Sequence, residues 1–590
     1  MKKAFIIIAL LYSCFAFSQN NFMLAEDYMR QGEYKKAAQI YESLLKRNPF
    51  NTTYLKRLVT CFQETDQYLK AETLLRETLK NNPGQKYLHV EIGYNFERQQ
   101  KMILAKREYE IALNSIDINP SLGGIIGRMF RQNNSLDNAI IAYTKTMELN
   151  KNANYQFQIA QIYGEKGEFD KMFGAYIELV DQNESYLGTV QRLTSRYITD
   201  DSKNENNVSL KRALLRKSVS NPKDVWNELL SWLFAKQKEY QKAFIQEKAL
   251  FKRNPEYIDN IITLGKIAFN DRDYAAAKDC FAFLLENTNF IDEKLNAELY
   301  LLKVGIETGE KNITQRFDTV LSTYGINSKT IPLQIAYADF LTFKSGNPEK
   351  AENILENALS FSKSKFQQAR IKLKLGDVLV FTGRFNKALI YFSQVQTKLK
   401  NHPLSQQARF KVAQTSYFKG DFKWAMAQLK VLKGSTSQLI ANDAVDLFLV
   451  ISDNEPKDSI PSGLKEYARA DLLAYQNKDS EAMTILTGIL SKYKGFPVED
   501  EALFKQAQIL VKQKKYNEAI LTFAKVVALD PQGILNDDVY YEMAELYNKQ
   551  LNLPEKAKEY YQKIIFEYPS SIYLVDARKK YRELRGDTIN

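Results

Sequence analysis

The chain has 590 residues, 45% of them hydrophobic and 26% charged, the make-up of a folded chain with room for several domains or one long repeat array. It holds only 14 prolines and 24 glycines, below the roughly 5% and 7% of average usage, which argues against a β-rich or disordered chain and for long helices with short turns. The net charge of +12 is modest for this length; no run of five like charges occurs, which argues against a nucleic-acid arm and for a solvated basic surface.

The first segment, MKKAFIIIALLYSCFAFSQ, has two lysines, an apolar stretch from Ala4 to Phe17, and small residues at Ala16 and Ser18. That is the pattern of a secretory signal (1–18) cleaved before Gln19. The apolar run of about 14 residues is short of the roughly 20 that span a bilayer. Leu11-Tyr12-Ser13-Cys14 resembles a bacterial lipobox, but bulky Tyr12 argues against lipidation at Cys14. No later segment is long and apolar enough to cross a membrane. Cys61 and Cys280 read as buried small apolar residues rather than as a disulfide.

From Gln19 the pattern repeats at 34 residues. Leu24, Ala25, Tyr28, Gly32, Tyr34, Ala37, Tyr41, Leu44 and Pro49 recur as Leu58, Val59, Phe62, Asp66, Tyr68, Ala71, Leu75, Thr78 and Pro83. Two further steps give Ile92, Gly93, Phe96, Ala105 and Tyr109, then Ile126, Gly127, Phe130, Ala139 and Tyr143. Each unit reads as two helices with a turn near Gly32, Asp66 or Gly167. Small residues such as Ala25, Gly93 and Gly127 let the helices approach, and large ones fill the gaps around them. One pair cannot bury its own apolar face, so pairs must stack.

The pattern frays over 184–222, where TDDSKNENN reads as a polar loop between two helices. It returns with Leu230, Phe234, Tyr240, Ala243 and Pro255, diverges over 293–360, and is clear again at Gly376, Phe385, Ala388 and Phe392 and at Gly420, Phe422 and Ala425. SDNEPKDSIPSG (452–463) reads as a loop or hinge. Strong units follow with Tyr516, Ala519, Phe523 and Pro531, then Tyr547, Ala557, Tyr561 and Pro569; residues 571–586 make a capping helix. The segments expected are a signal at 1–18, an N-terminal array at 19–222, a central array at 223–451, a hinge at 452–463 and C-terminal units at 464–590.

This 34-residue pattern resembles the tetratricopeptide repeat (TPR) family over essentially all of the chain after the signal. The resemblance implies an all-α fold, a TPR superhelical solenoid of about 14–16 helix pairs. It also implies a concave groove lined by the first helix of each pair. Mapped onto this chain, the family's groove positions are Phe22, Lys56, Tyr87, Tyr94, Arg98, Arg128, Arg131, Phe157 and Trp232 in the first half. In the second half they are Phe269, Phe381, Phe410, Tyr417, Phe418, Phe504 and Tyr541. Aromatic and arginine side chains of this kind are enriched at binding hot spots. A family subset clamps a partner's C-terminal carboxylate with lysine, asparagine and arginine. Here Lys56 is followed by Thr60, so that clamp is not met.

No catalytic constellation emerges. The two histidines, His89 and His402, are far apart, and HExxH, CxxC, a phosphate loop and Gly-x-Ser-x-Gly are all missing. No enzyme activity, cofactor, metal, nucleic acid or small-molecule substrate is expected. The stretch Tyr568-Pro569-Ser570-Ser571-x-Tyr573 with Ala577 is similar to envelope TPR proteins, the BamD-type outer-membrane assembly lipoprotein and the Tol–Pal coordinator, over about residues 500–590. With the signal, this implies an exported, periplasmic scaffold that binds cell-envelope proteins or peptides, attached to the inner face of the outer membrane, in assembly or secretion. The alternative is a cell-wall or polysaccharide-binding protein that uses its aromatic rim as a sugar platform.

Overall fold

The computed structural model describes residues 21–434, 438–455 and 462–586. The expected signal segment, with Cys14, and the centre of the expected hinge (456–461) lie outside the described residues. The described chain is all α, 79% helical and without a strand. It forms 15 helix pairs, the helix Gln438–Asp453 that stands between pairs, and the final helix Leu574–Arg585. No described helix is long and apolar enough to cross a membrane. The pairs fall into two compact units, Met1–Leu229 and Leu230–Asn590.

The repeat is visible in the backbone. The carbonyls of Tyr28, Phe62, Phe96 and Phe130, spaced by 34, accept from the amides of Glu33, Gln67, Lys101 and Ser135 at 2.8–3.0 Å. Each bond closes a Schellman-type helix end. The residue that turns the chain is left-handed every time: Gly32 at φ +77°, Asp66 at +58°, Gln100 at +61° and Asn134 at +57°. A turn that accepts Gln100 is set by the helices on either side, since glycine alone takes that conformation freely.

Close approach inside a pair depends on the small residues. A Cβ on Gly93 would lie 2.4 Å from the Tyr109 ring, on Gly127 2.6 Å from Tyr143 and on Gly376 2.2 Å from Phe392. The large partners are themselves core: Tyr41, Phe130, Phe281, Phe392, Phe523 and Tyr561 have no exposed surface. Cys61 and Cys280 are free and buried, and burial pushes their thiols up to about 11 and about 12.

The irregular stretch before residue 222 is organised by one buried side chain. Asn207 is 0% exposed; its amide donates to the Thr199 and Asp201 carbonyls (2.8 and 2.7 Å) and its Oδ1 accepts from the Thr199 amide at 3.1 Å. Residues 199–204 of the polar run TDDSKNENN are therefore a loop tied from inside by Asn207, which lies in the first turn of helix Glu205–Ser220, while helix Leu187–Thr194 precedes the loop.

Candidate functional site

In the N-terminal unit the helices Thr52–Glu64, Leu88–Arg98, Gly123–Gln132 and Gln156–Glu165 are the first helices of successive pairs. Side chains one repeat apart meet on this row. Arg98 reaches Glu64 at 2.8 Å, and Arg131 reaches Glu165 and, at 2.9 Å, Gln161. Lys56 bonds Gln132 and lies 3.8 Å from Glu91. Burial pushes the Glu91 carboxyl up, against the pull of Lys56 and Asn133.

Two cavities open here and share Arg128 and Gln132. One, of 460 Å³, is walled by Lys56, Tyr87, Glu91 and Met129. The other, of 640 Å³, is walled by Arg131, Tyr143, Tyr155 and Phe157. Its floor is Gly124, where a Cβ would stand 2.3 Å from the Tyr155 hydroxyl. Arg128 is exposed and has no hydrogen-bond or ion-pair partner among the described residues. Lys56, Tyr87, Arg128, Arg131 and Phe157, scattered in sequence, are thus brought to one groove. Tyr94, half-buried, stands beside Arg98.

The C-terminal unit carries a larger cleft of 940 Å³. Phe410 and Phe504 line it, with Tyr467 and Tyr573. Its charge was not legible from the repeat pattern: Asp443, Asp446, Asp471, Glu501, Asp537, Asp538 and Glu542 all face it, with Lys505 the single basic residue of the lining. Lys505 is held by Asp471 at 2.9 Å. Burial, reinforced by Asp500, pushes Glu501 up to about 8. Burial, reinforced by Asp537 and Asp446 and opposed by the Tyr573 hydroxyl, pushes Asp538 up to about 7. The pairs Asp443/Asp446 and Asp537/Asp538 were the available signal, but on one helix such acids read as solvated surface.

Two expected groove residues are buried, although Tyr417 still lines the C-terminal cleft and Phe418 a smaller cavity beside it. Tyr417 is 0% and Phe418 9% exposed, because Phe418 packs between Tyr417 (5.5 Å) and Tyr475 (5.7 Å). The remaining aromatics are half-buried and lie apart from the three cavities. Phe22 packs on Tyr41 and Tyr54, Phe269 on Tyr274 and Tyr300, and Phe381 on Phe343. Tyr541 stacks on Tyr573 at 4.1 Å and donates to Asp576 at 2.6 Å. Trp232 is half-buried in helix Asp224–Lys236.

Both histidines have structural partners. His89 Nδ1 meets Glu108 Oε2 at 2.6 Å, and Arg76 bonds the other Glu108 oxygen at 2.9 Å. His402 caps helix Pro403–Lys419, its Nδ1 accepting from the Leu404 amide at 3.1 Å. Among the described residues no three His, Cys, Asp or Glu side chains are placed to hold a metal ion.

Comparison with known proteins finds tetratricopeptide repeats at both ends of the chain. Tetratricopeptide repeat family models match residues 22–100 and residues 501–533 and 538–571. A TPR repeat-containing protein of Methanocaldococcus jannaschii is 27% identical over 164 residues, 28% of this chain and 29% of that protein. The chain thus spans under a third of the curated relative it matches. Among solved structures, yeast Tom70 aligns at 15% identity over 96% of this chain and 99% of its own, with a TM-score of 0.27. Naa15/Naa10 bound to HypK aligns at 12% identity over 96% and 97%, with 0.28. The APC/C hetero-tetramer Cut9–Hcn1 aligns at 13% over 96% of each, with 0.25. The fold class is that of a TPR solenoid, all α and made of stacked helix pairs among the described residues.

Proposed function

We propose that the protein is a non-catalytic scaffold of the cell envelope, exported by its N-terminal segment, that holds partner proteins in the grooves of its helix pairs during envelope assembly or secretion. The scaffold reading follows from the repeats, since stacked helix pairs offer long concave surfaces rather than a reaction centre. The observation that carries it is Arg128, an exposed cation without a partner among the described residues, placed where two cavities walled by Tyr87, Tyr155 and Phe157 meet. Arginine flanked by aromatic rings is the composition of a protein-binding hot spot. The envelope setting is supported by the signal-like segment 1–18 and by the likeness of Tyr568–Tyr573 to envelope TPR proteins.

The test is in-cell photo-cross-linking from position 157 of the tagged full chain, followed by envelope fractionation and mass spectrometry. The reading expects a defined set of envelope proteins, lost on Arg128→Glu. Recovery of cell-wall polysaccharide alone, or a cytoplasmic location, would overturn it.

A further inference from the structure

The C-terminal cleft is an anomaly in a chain of net charge +12. Seven carboxylates line it against one lysine. That lysine is already spent on Asp471. Asp538 accepts from the Tyr573 hydroxyl at 2.8 Å. Asp443, Asp446, Asp537, Glu542 and the Glu501 carboxylate have no hydrogen bond or ion pair among the described residues. Glu501 is only 9% exposed. Asp443 and Asp446 are exposed and Asp537 and Glu542 half-buried, but Glu501 is a buried acid without a partner, which is costly and is kept chiefly where something else satisfies it.

A second observation is independent of the acids. Tyr417 lines the same cleft and is 0% exposed, and its hydroxyl has no hydrogen-bond partner among the described residues. Asp471 and Glu501 line the cleft with it, and their charges act on this hydroxyl. A buried phenol that bonds nothing in the protein is a prepared contact for a donor brought by a ligand.

We propose that this cleft binds a basic segment of a partner polypeptide, with an arginine side chain anchored between Glu501 and the Tyr417 hydroxyl. The proposal rests on the scaffold reading and adds the chemistry of the partner. A guanidinium supplies five donors in a plane, enough for a carboxylate and a hydroxyl together, and its face packs on rings such as Phe410 and Phe504. A metal ion fits less well, since no three of the described acids converge on one point. The acids are instead spread over helices Gln438–Asp453, Leu464–Tyr475, Val498–Lys512 and Asn536–Lys549, which suits successive charges on an extended chain. The raised carboxyls of Glu501 and Asp538 must ionise to receive a cation. Binding should therefore tighten from pH 6 to pH 8.5. Asp500, Asp471, Asp453 and Lys505 surround Glu501, and Asp537, Asp446, Glu542 and Tyr573 surround Asp538.

The experiment is fluorescence anisotropy on the full chain with a labelled peptide of alternating arginine and glycine, and with its glutamate counterpart. The arginine peptide should bind and the glutamate peptide should not. Glu501→Gln and Tyr417→Phe should each weaken binding about tenfold, a charged hydrogen bond's worth. Glu555→Gln, which removes an equal charge from an exposed position, should leave it unchanged. Tyr417→Phe retains the ring and removes only an unbonded hydroxyl, so its unchanged melting temperature separates binding from folding. Equal binding of the two peptides, or wild-type binding by both cleft variants, would overturn the proposal. So would a thermal shift given by calcium alone and abolished by Glu501→Gln, which would make this a metal site. None of these failures bears on cross-linking from position 157, which lies in the other unit and tests the scaffold reading separately.

Discussion

The side-chain amide of Gln476 donates a 2.8 Å hydrogen bond to the backbone carbonyl of Phe381, 95 residues earlier. Beside it, Asn477 reaches the carbonyl of Phe343 at 2.8 Å, across 134 residues. Phe343 meets the rings of Phe381 and Tyr475 edge-on, each at 5.4 Å. A plain solenoid has contacts only between neighbouring repeats, and its stability is a sum of such terms. Here the ends of helices Ile331–Phe343, Lys365–Phe381 and Leu464–Tyr475 are clasped together, which makes their unfolding cooperative.

Gln476→Ala should therefore cost about 0.5–1.5 kcal/mol, the net worth of one hydrogen bond. It should also raise amide exchange in helix Ile331–Phe343, far away in sequence. Urea titration and hydrogen exchange check both. Exchange that rises only within 464–492 would show that the clasp does not couple the repeats.

Two glycine substitutions should act in opposite directions. At Gly376 an added methyl would meet the Phe392 ring at 2.2 Å, and Phe392 is fully buried and cannot swing away. Overpacking costs about 1–3 kcal/mol, more than the roughly 1 kcal/mol of helix propensity gained. Gly174, within helix Phe169–Gln182, has nothing within 4 Å of its Cβ direction, so Gly174→Ala should stabilise by about 0.5–1 kcal/mol. Melting curves of the two variants read the signs, and equal signs would refute the close-packing account.

Glu108 links pH to stability in the N-terminal unit. Burial opposes its ionisation, but hydrogen bonds from His89 and Arg76 outweigh burial and hold the carboxyl below its ordinary 4.5. A depressed carboxyl contributes its stability in full above the unfolded value and loses it as pH falls through the folded one. Glu108→Gln should cost about 1.5–3 kcal/mol at pH 7, and the gap should close below about pH 4.5. Denaturant midpoints at pH 7, 5 and 3.5 measure it; a gap that does not narrow would discount the pair.

Glu501 has the reverse linkage. Its folded value is about 8 against an ordinary 4.5. Its contribution is complete below pH 4.5 and is lost as pH climbs through 8. Glu501→Gln, permanently neutral, should match the wild type near pH 4.5 and exceed it by about 1–3 kcal/mol at pH 8.5. Thermal unfolding across that range is the measurement, and a variant less stable at pH 8.5 would contradict the burial of an unpartnered carboxylate.

The repeat itself was legible in the residues. Aromatics at 28, 62, 96 and 130 mark the period because each supplies both a packing ring and the carbonyl that ends a helix. Gly93 and Gly127 mark the close contacts because only a missing Cβ admits Tyr109 and Tyr143. Both signals are local to one helix pair, so a one-dimensional pattern contains them. The register also carried Lys56, Arg128 and Phe157 to one groove, since positions one period apart stack on neighbouring helices. Tertiary structure alone decided the rest. It buried Tyr417 and Phe418 in cavity walls rather than on an open face, because exposure depends on how far each pair rotates against the next. It gathered Asp443, Glu501 and Asp538 around one cleft, although the helix that carries Asp443 has no partner in the repeat register. It joined Gln476 to Phe381 across several pairs. Such contacts depend on the accumulated small rotations of the repeats between them, and no period in the sequence records that sum.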